Sequence, residues 1–428
     1  MTIEQRIYCP GAIISFGFSF LSFMAYLQLF DVYEVSSFGY TLVVLFVGMY
    51  TLGGLLVRVL YKKTFKIKMG DRIIFQPQNN KPIVIDKRII DVCIILAFLY
   101  FLVKAFQAIR LMRSGYDLFS IRLMFSSSGE ESELMSAGFE SYFLFYLARP
   151  AMYLVMSVGI VEFFSSEGNN KKILLIFLVI LILNMITSGG RTLVAFFAVL
   201  FIFTYKIYKQ DITFANSEYL FLTIKKFKRT IRFVVIFMIL SIAAITVLRK
   251  NSVVNYFFWR RAYIYTGCII PYMDAMVREY NLPNTNGLAF WLGLIRIPRA
   301  IILKLFGLPY SNAYIVLTQQ IPIIKHAGKL VSPLIAMNGF PTAIFYFFAD
   351  FGVPGVAMES FLFALFSFPF YYSLKCNCNK KTIASFLLAE ACVFEALLEN
   401  PVTFAYIMAI ILVNFVYRYS TKKTTENL

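Results

Sequence analysis

The chain has 428 residues, 59% of them hydrophobic and 18% aromatic, and a formal net charge of +18. Apolar runs of roughly 17 to 23 residues recur along it, the length that crosses about 30 Å of hydrocarbon at a helical rise of about 1.5 Å per residue. These features exclude a water-soluble globular protein. They also exclude a transmembrane barrel, whose strands would alternate in polarity. Lipid offers no partners to backbone N–H and C=O groups, so near-continuous apolar spans must be helices.

In chain order the predicted spans are 11–30, 38–60, 89–108, 141–164, 173–186, 192–205, 231–248, 352–374, 382–398 and 401–418, ten in all. The first could be mistaken for a secretion signal. Asp31 and Glu34 follow it directly and no small-residue cleavage site appears, so it is read as a mature helix. The fifth and sixth are short and predict a shallow hairpin that turns at Ser188-Gly189-Gly190-Arg191, below the outer surface. The fold class expected is thus all-α, a polytopic integral membrane protein. Residues 1–248 would hold spans one to seven and the basic cytoplasmic loops 61–88 and 206–230. A large extracytoplasmic, membrane-hugging loop would fill 249–340, and 341–428 would hold spans eight to ten and a cytoplasmic tail.

Orientation follows from Lys and Arg in the loops. With the N-terminus inside, eight fall in 61–88, seven in 206–232, three in 375–381 and three after residue 417. The outer side has three in 109–140, Arg191, and ten in 249–340, a segment long enough to translocate regardless of its charge. Both termini are predicted to be cytoplasmic, in a bacterial cytoplasmic (inner) membrane. The positive charge is read as a topology signal and not as a nucleic-acid footprint.

Of the six cysteines only Cys268 falls in the outer loop, so no external disulfide is expected. Cys376 and Cys378 sit in a short cytoplasmic turn with no His or further Cys near them, and are read as free thiols.

The two outer segments carry the chemistry. Residues 109–140 are polar and Ser-rich. Residues 249–340 contain VVNYFFWRRAYIY and IRIPRAIILKLFGLPY, apolar or amphipathic stretches with embedded arginines that suit an interfacial position. Arg249, Arg260, Arg261, Arg278, Arg296 and Arg299 are interleaved there with aromatics that include Trp259, Tyr263 and Tyr265. Guanidinium is planar, always charged and able to grip phosphate through paired hydrogen bonds. The aromatic faces are candidate stacking platforms for sugar rings, and the alternative is a belt of interfacial anchors.

Ionisable groups inside the spans point to a cavity or to each other. Arg191, between two apolar runs near the outer edge, is read as an anion grip. Arg149 lies some eight residues into the fourth span, and Lys104 is expected to snorkel. Glu395 and Glu399 share a helical face by i, i+4 spacing, with an ion pair to Arg149 or Arg191 as one reading and catalysis as the other. His326, the single histidine, and Asp350, in YFFADFGVPG, compete for the role of general base. Asp350 is expected to open the eighth span, where Gly352 and Gly355 would let backbone approach a ligand; the bland reading makes it a helix N-cap. Asp350-Phe351-Gly352 is not a kinase motif, since no other kinase element is present.

About ten spans, the Gly189-to-Thr192 turn between two short helices, the large outer loop rich in Arg and aromatics, and the Asp350-Phe351-Gly352…Gly355 stretch together resemble the bacterial oligosaccharide repeat-unit polymerases of the Wzy type. The resemblance implies a membrane glycosyltransferase with a GT-C-like fold that makes O-antigen or capsular polysaccharide outside the cytoplasmic membrane. It implies no cofactor and no metal. Its substrates would be undecaprenyl-pyrophosphate-linked glycans, with a flippase and a chain-length regulator as partners, and no nucleic acid. Under it, Arg191, Arg260, Arg261 and Arg149 would bind pyrophosphate, Trp259, Tyr263 and Tyr265 would bind sugar, and Asp350 or His326 would serve the acceptor hydroxyl. An O-antigen ligase shares this donor and fold. A membrane O-acyltransferase would place its histidine within the membrane. A flippase or other transporter would show internal repeats, of which none is detected.

Overall fold

The computed structural model describes residues 9–65, 83–116, 120, 121, 124, 125, 140, 143–165, 171–188, 192–214, 232, 236, 258–333, 335–337 and 339–419. Their helices are α1 (Pro10–Tyr26), α2 (Ser37–Phe65), α3 (Lys87–Arg113), α4 (Arg149–Ser165), α5 (Lys171–Ser188), α6 (Thr192–Phe214), α7 (Phe258–Gly267), α8 (Ile269–Arg278), α9 (Leu288–Leu305), α10 (Asn312–Ile315), α11 (Ile321–Ala327), α12 (Thr342–Phe351), α13 (Val353–Cys376), α14 (Lys380–Ala396) and α15 (Phe404–Val416). Four helical stretches, Ser37–Thr64, Lys87–Arg113, Leu144–Ser165 and Val353–Cys376, are long and apolar enough to cross a membrane. Shorter apolar helices include Pro10–Tyr26, Thr192–Tyr208, Thr342–Phe351 and Phe404–Val416. Each predicted span except 231–248 overlaps a helix, though those at 173–186 and 382–398 fall in helices, α5 and α14, that belong to neither group; 231–248 lies almost wholly outside the described residues.

The protein is mostly helical, with two small antiparallel ribbons among the described residues. Strand β1 (Ile83–Ile85) pairs with β4 (Tyr417–Tyr419), setting Val84 opposite Arg418. Strand β2 (Lys329–Ser332) pairs with β3 (Ile335–Met337) through a bulge between Leu330 and Ser332.

Proline shapes two helices in the same way. A π turn at Leu144–Ala148 leads into α4 just before Pro150, and another at Val316–Gln320 leads into α11 just before Pro322. Proline has no N–H to donate and its ring crowds the carbonyl four residues back, so a locally wider turn relieves both problems.

The chain forms two compact units. One comprises Met1–Asp71, Val253–Tyr372 and Ala389–Ile407; the other comprises Arg72–Ser252, Ser373–Leu388 and Met408–Leu428. In the first, α8 is the central element: every residue from Ile269 to Val277 is buried, and the helix packs against α1, α2, α12 and β2. The segment expected to hug the membrane therefore contains core. On α9, Ile301, Ile302 and Leu305 are exposed, as is Phe306 just after it.

In the second unit α3 packs on α4 and α5, and α4 on α5 and α6. Lys104 does not snorkel. It is buried, ion-paired with Glu140, bonded to Gln107 Oε1 at 3.0 Å, and 5.0 Å from the centre of the Phe125 ring. Buried Glu162 of α4 is 3.2 Å from Lys380 and accepts from the Tyr417 hydroxyl at 3.3 Å. A buried charge survives in an apolar bundle only with such partners.

Several of these contacts join segments that the charge pattern assigns to one side. Tyr33 N donates to Val331 O at 2.8 Å, linking the 31–37 loop to the 249–340 segment. The β1–β4 ribbon and the Arg418–Asp86 pair at 3.3 Å link two segments read as cytoplasmic.

Candidate functional site

In the first unit two segments remote in sequence, 36–39 and α8, meet at Asp274. The α8 helix carries this lone acid in an apolar run, and the packing that buries α8 forces its carboxylate to find donors. Ser36 supplies two: its N–H at 3.0 Å from Oδ2 and its hydroxyl at 2.5 Å from Oδ1. Arg278, one turn later on α8, places Nε 3.1 Å from Oδ2. A side chain at Gly39 would collide with Asp274, since a Cβ there would lie 2.6 Å from Oδ1. The Asp274 carboxylate thus fixes the start of α2 and aims Arg278 outward.

Beside this lock opens a cleft of about 450 Å³, bounded by Tyr33 and Glu34, by Arg278 and Glu279, and by Lys329 and its neighbours in β2. Lys329 pairs with Glu279 across it. Tyr33, Arg278 and Glu279 are exposed, so the cleft is open to its surroundings. Its walls carry two cations, Arg278 and Lys329, and two carboxylates, Glu34 and Glu279, together with an exposed tyrosine, Tyr33.

A second cluster centres on Asp350. The residue sits in the last turn of α12, and the long span begins after it at Val353, so Asp350 does not open the span as expected. Its Oδ1 accepts from the Thr285 hydroxyl and from Ala289 N at 3.0 Å, and its Oδ2 accepts from Phe290 N at 3.1 Å. It is a capping residue for α9, whose own N-cap, Gly287, has no side chain to offer. The glycines behind it serve the chain itself. Gly352 (φ +67°) makes the break between α12 and α13, and a Cβ on Gly355 would lie 2.2 Å from Phe347 O. Neighbouring Tyr280 donates to Pro283 O at 3.0 Å, and burial, aided by the Asp350 charge, pushes its hydroxyl up to about 12. Glu359 on α13 is fully buried, and its carboxyl group lies beside that of Asp350.

The remaining acids and cations settle as follows. Glu399 does not share a helical face with Glu395, because α14 ends at Ala396 ahead of Asn400-Pro401. Glu399 pairs at 2.6 Å with Lys325 of the 249–340 segment, and Glu395 accepts from the Tyr406 hydroxyl at 3.4 Å. Arg149, in the second unit, holds its guanidinium 4.6 Å over the Phe145 ring. Arg299 on α9 donates from Nη2 to Ser311 Oγ at 2.7 Å and stacks 4.8 Å over Tyr314. Its Nη1 is buried without a partner among the described residues.

Of the predicted sugar platforms, Tyr263 is drawn into the core. Its hydroxyl donates to Met24 O at 2.8 Å and accepts from Leu29 N at 3.0 Å, and its ring meets Phe30 edge-on. Tyr265 keeps an exposed ring. Arg191 lies outside the described residues, and the side chains of Trp259, Arg260, Arg261 and His326 do too. Sequence reasoning passed over Asp274, Glu162 and Glu359. Each is a single acid in an apolar run, which was the available signal.

No family model, no curated protein and no solved structure matches the chain.

Proposed function

We propose that the chain is a metal-independent glycosyltransferase of the cytoplasmic membrane, built on about ten crossings with a GT-C-like layout. It polymerises undecaprenyl-pyrophosphate-linked oligosaccharide repeat units into O-antigen or capsular polysaccharide at the outer face. The observation that carries this reading is Arg299. A guanidinium with an N–H pair that has no partner among the described residues stands on a helix that exposes Ile301, Ile302 and Leu305, with exposed Phe306 at its end. A helix of that kind suits the membrane surface, and the anion found there on a lipid-linked sugar is its pyrophosphate.

The chemistry follows from that placement. The acceptor hydroxyl oxygen attacks the anomeric carbon of the growing glycan, and the bond from that carbon to the pyrophosphate oxygen breaks. The electron pair leaves with undecaprenyl pyrophosphate, whose new charge is met by arginine: Arg299 has an N–H pair without a partner among the described residues, and Arg191, Arg260, Arg261 and Arg149 are the candidates read from the sequence. The hydroxyl proton goes to a base. Asp350 already accepts three hydrogen bonds in its cap, so His326 takes this role.

Deleting the gene in its host and separating the surface glycan by gel tests the reading. Loss of the ladder with single repeat units still attached is the expected result. Loss of all attached glycan would point to a ligase or a flippase, and intact long chains would overturn the proposal.

A further inference from the structure

We infer that the cleft bounded by Tyr33, Glu34, Arg278, Glu279 and Lys329 binds an uncharged, hydroxyl-bearing portion of a glycan. Its volume of about 450 Å³ lies within the roughly 300–1,000 Å³ of small-molecule sites. The segments that form it are joined by hydrogen bonds rather than by chain continuity. Ser36 holds Asp274 from the start of α2, Asp274 holds Arg278, and Tyr33 N holds Val331 O. Such pre-assembly lowers the cost of ordering a site when ligand arrives.

The charge pattern selects the ligand. Arg278 and Lys329 are each already matched by a carboxylate, Asp274 and Glu279, and Glu34 adds another acceptor at the wall. No excess of positive charge remains to draw in a pyrophosphate. Donors and acceptors side by side in one cleft instead match sugar hydroxyls, each of which donates one hydrogen bond and accepts others. The exposed Tyr33 ring supplies an apolar face at the rim for the C–H side of a pyranose. The inference rests on the glycosyltransferase reading only for the glycan's identity; the recognition chemistry belongs to the cleft.

The test uses purified full-length protein in detergent and, as probe, the oligosaccharide released by mild acid from the host's own surface glycan, followed by saturation-transfer NMR. Glu34→Gln and Tyr33→Ala alter exposed side chains, and each should weaken binding at least tenfold while the melting temperature stays unchanged. Wild-type affinity in both variants would overturn the inference. Displacement of the oligosaccharide by millimolar inorganic pyrophosphate would overturn it as well, since it would make the cleft an anion site. The outcomes separate from those of the deletion: a lost ladder with undiminished variant binding removes the cleft and leaves the polymerase reading, and the converse removes the polymerase and leaves the cleft.

Discussion

Asp350, at the end of α12, accepts the N–H of Ala289, in the first turn of α9, at 3.0 Å. Sixty-one residues separate them. The carboxylate supplies the negative charge and the acceptors that a helix N-terminus needs, and it does so for the helix with the exposed apolar face. This makes α9 a fixed part of the first unit.

Asp350→Ala should therefore lower stability by about 2–4 kcal/mol, the cost of leaving two buried N–H groups and a hydroxyl without their charged acceptor. Thermal unfolding in detergent reads this directly. An unchanged melting temperature combined with loss of polymer would instead mark Asp350 as the base.

Gly39→Ala should cost about 1–3 kcal/mol, because the new methyl would drive into the Asp274 carboxylate. Gly48→Ala on the same helix meets no atom within 4 Å and should stay within about 1 kcal/mol of wild type. Equal melting temperatures for the two variants would contradict the lock between Ser36 and Asp274.

The Lys325–Glu399 pair predicts a pH signature. Burial acts to lower the Lys325 pKa, but the Tyr346 and Glu399 oxygens beside it outweigh burial, and the net direction is upward. A raised folded value stabilises the fold fully below the ordinary lysine value of about 10.5, and the contribution is lost as pH climbs past it. The melting-temperature gap between wild type and Lys325→Met should be constant from about pH 7 to 10 and narrow above that. A gap that closes near neutral pH would refute this.

Trp291 reports where α9 lies. It is exposed on the helix that carries Ile301, Ile302 and Leu305. In a Trp259→Phe background, reconstituted in lipid brominated near the headgroups, its emission should be strongly quenched. Emission indifferent to bromine would place α9 in water and remove the main support for a lipid-linked substrate.

Arg191→Lys keeps the charge but not the planar fork, and should shorten the polymer sharply on a glycan gel. Unchanged ladder length would take pyrophosphate binding away from Arg191.

The helices were legible because membrane helices announce themselves locally: an apolar run must satisfy its backbone within itself, whatever surrounds it. Hence α2, α3 and α13 follow the apolar runs. Partnerships were not legible. Nothing in the order of residues says that Glu399 would pair with Lys325, that Lys104 would turn inward to Glu140, or that Asp350 would cap a helix 61 positions away. Hydropathy and positive charge are sums over neighbours in the chain, and they settled the membrane class. The cleft beside Asp274 depends on 31–36, 271–279 and 328–331 meeting in space, and only tertiary packing, which buries α8 and leaves its acid to recruit donors, decides that.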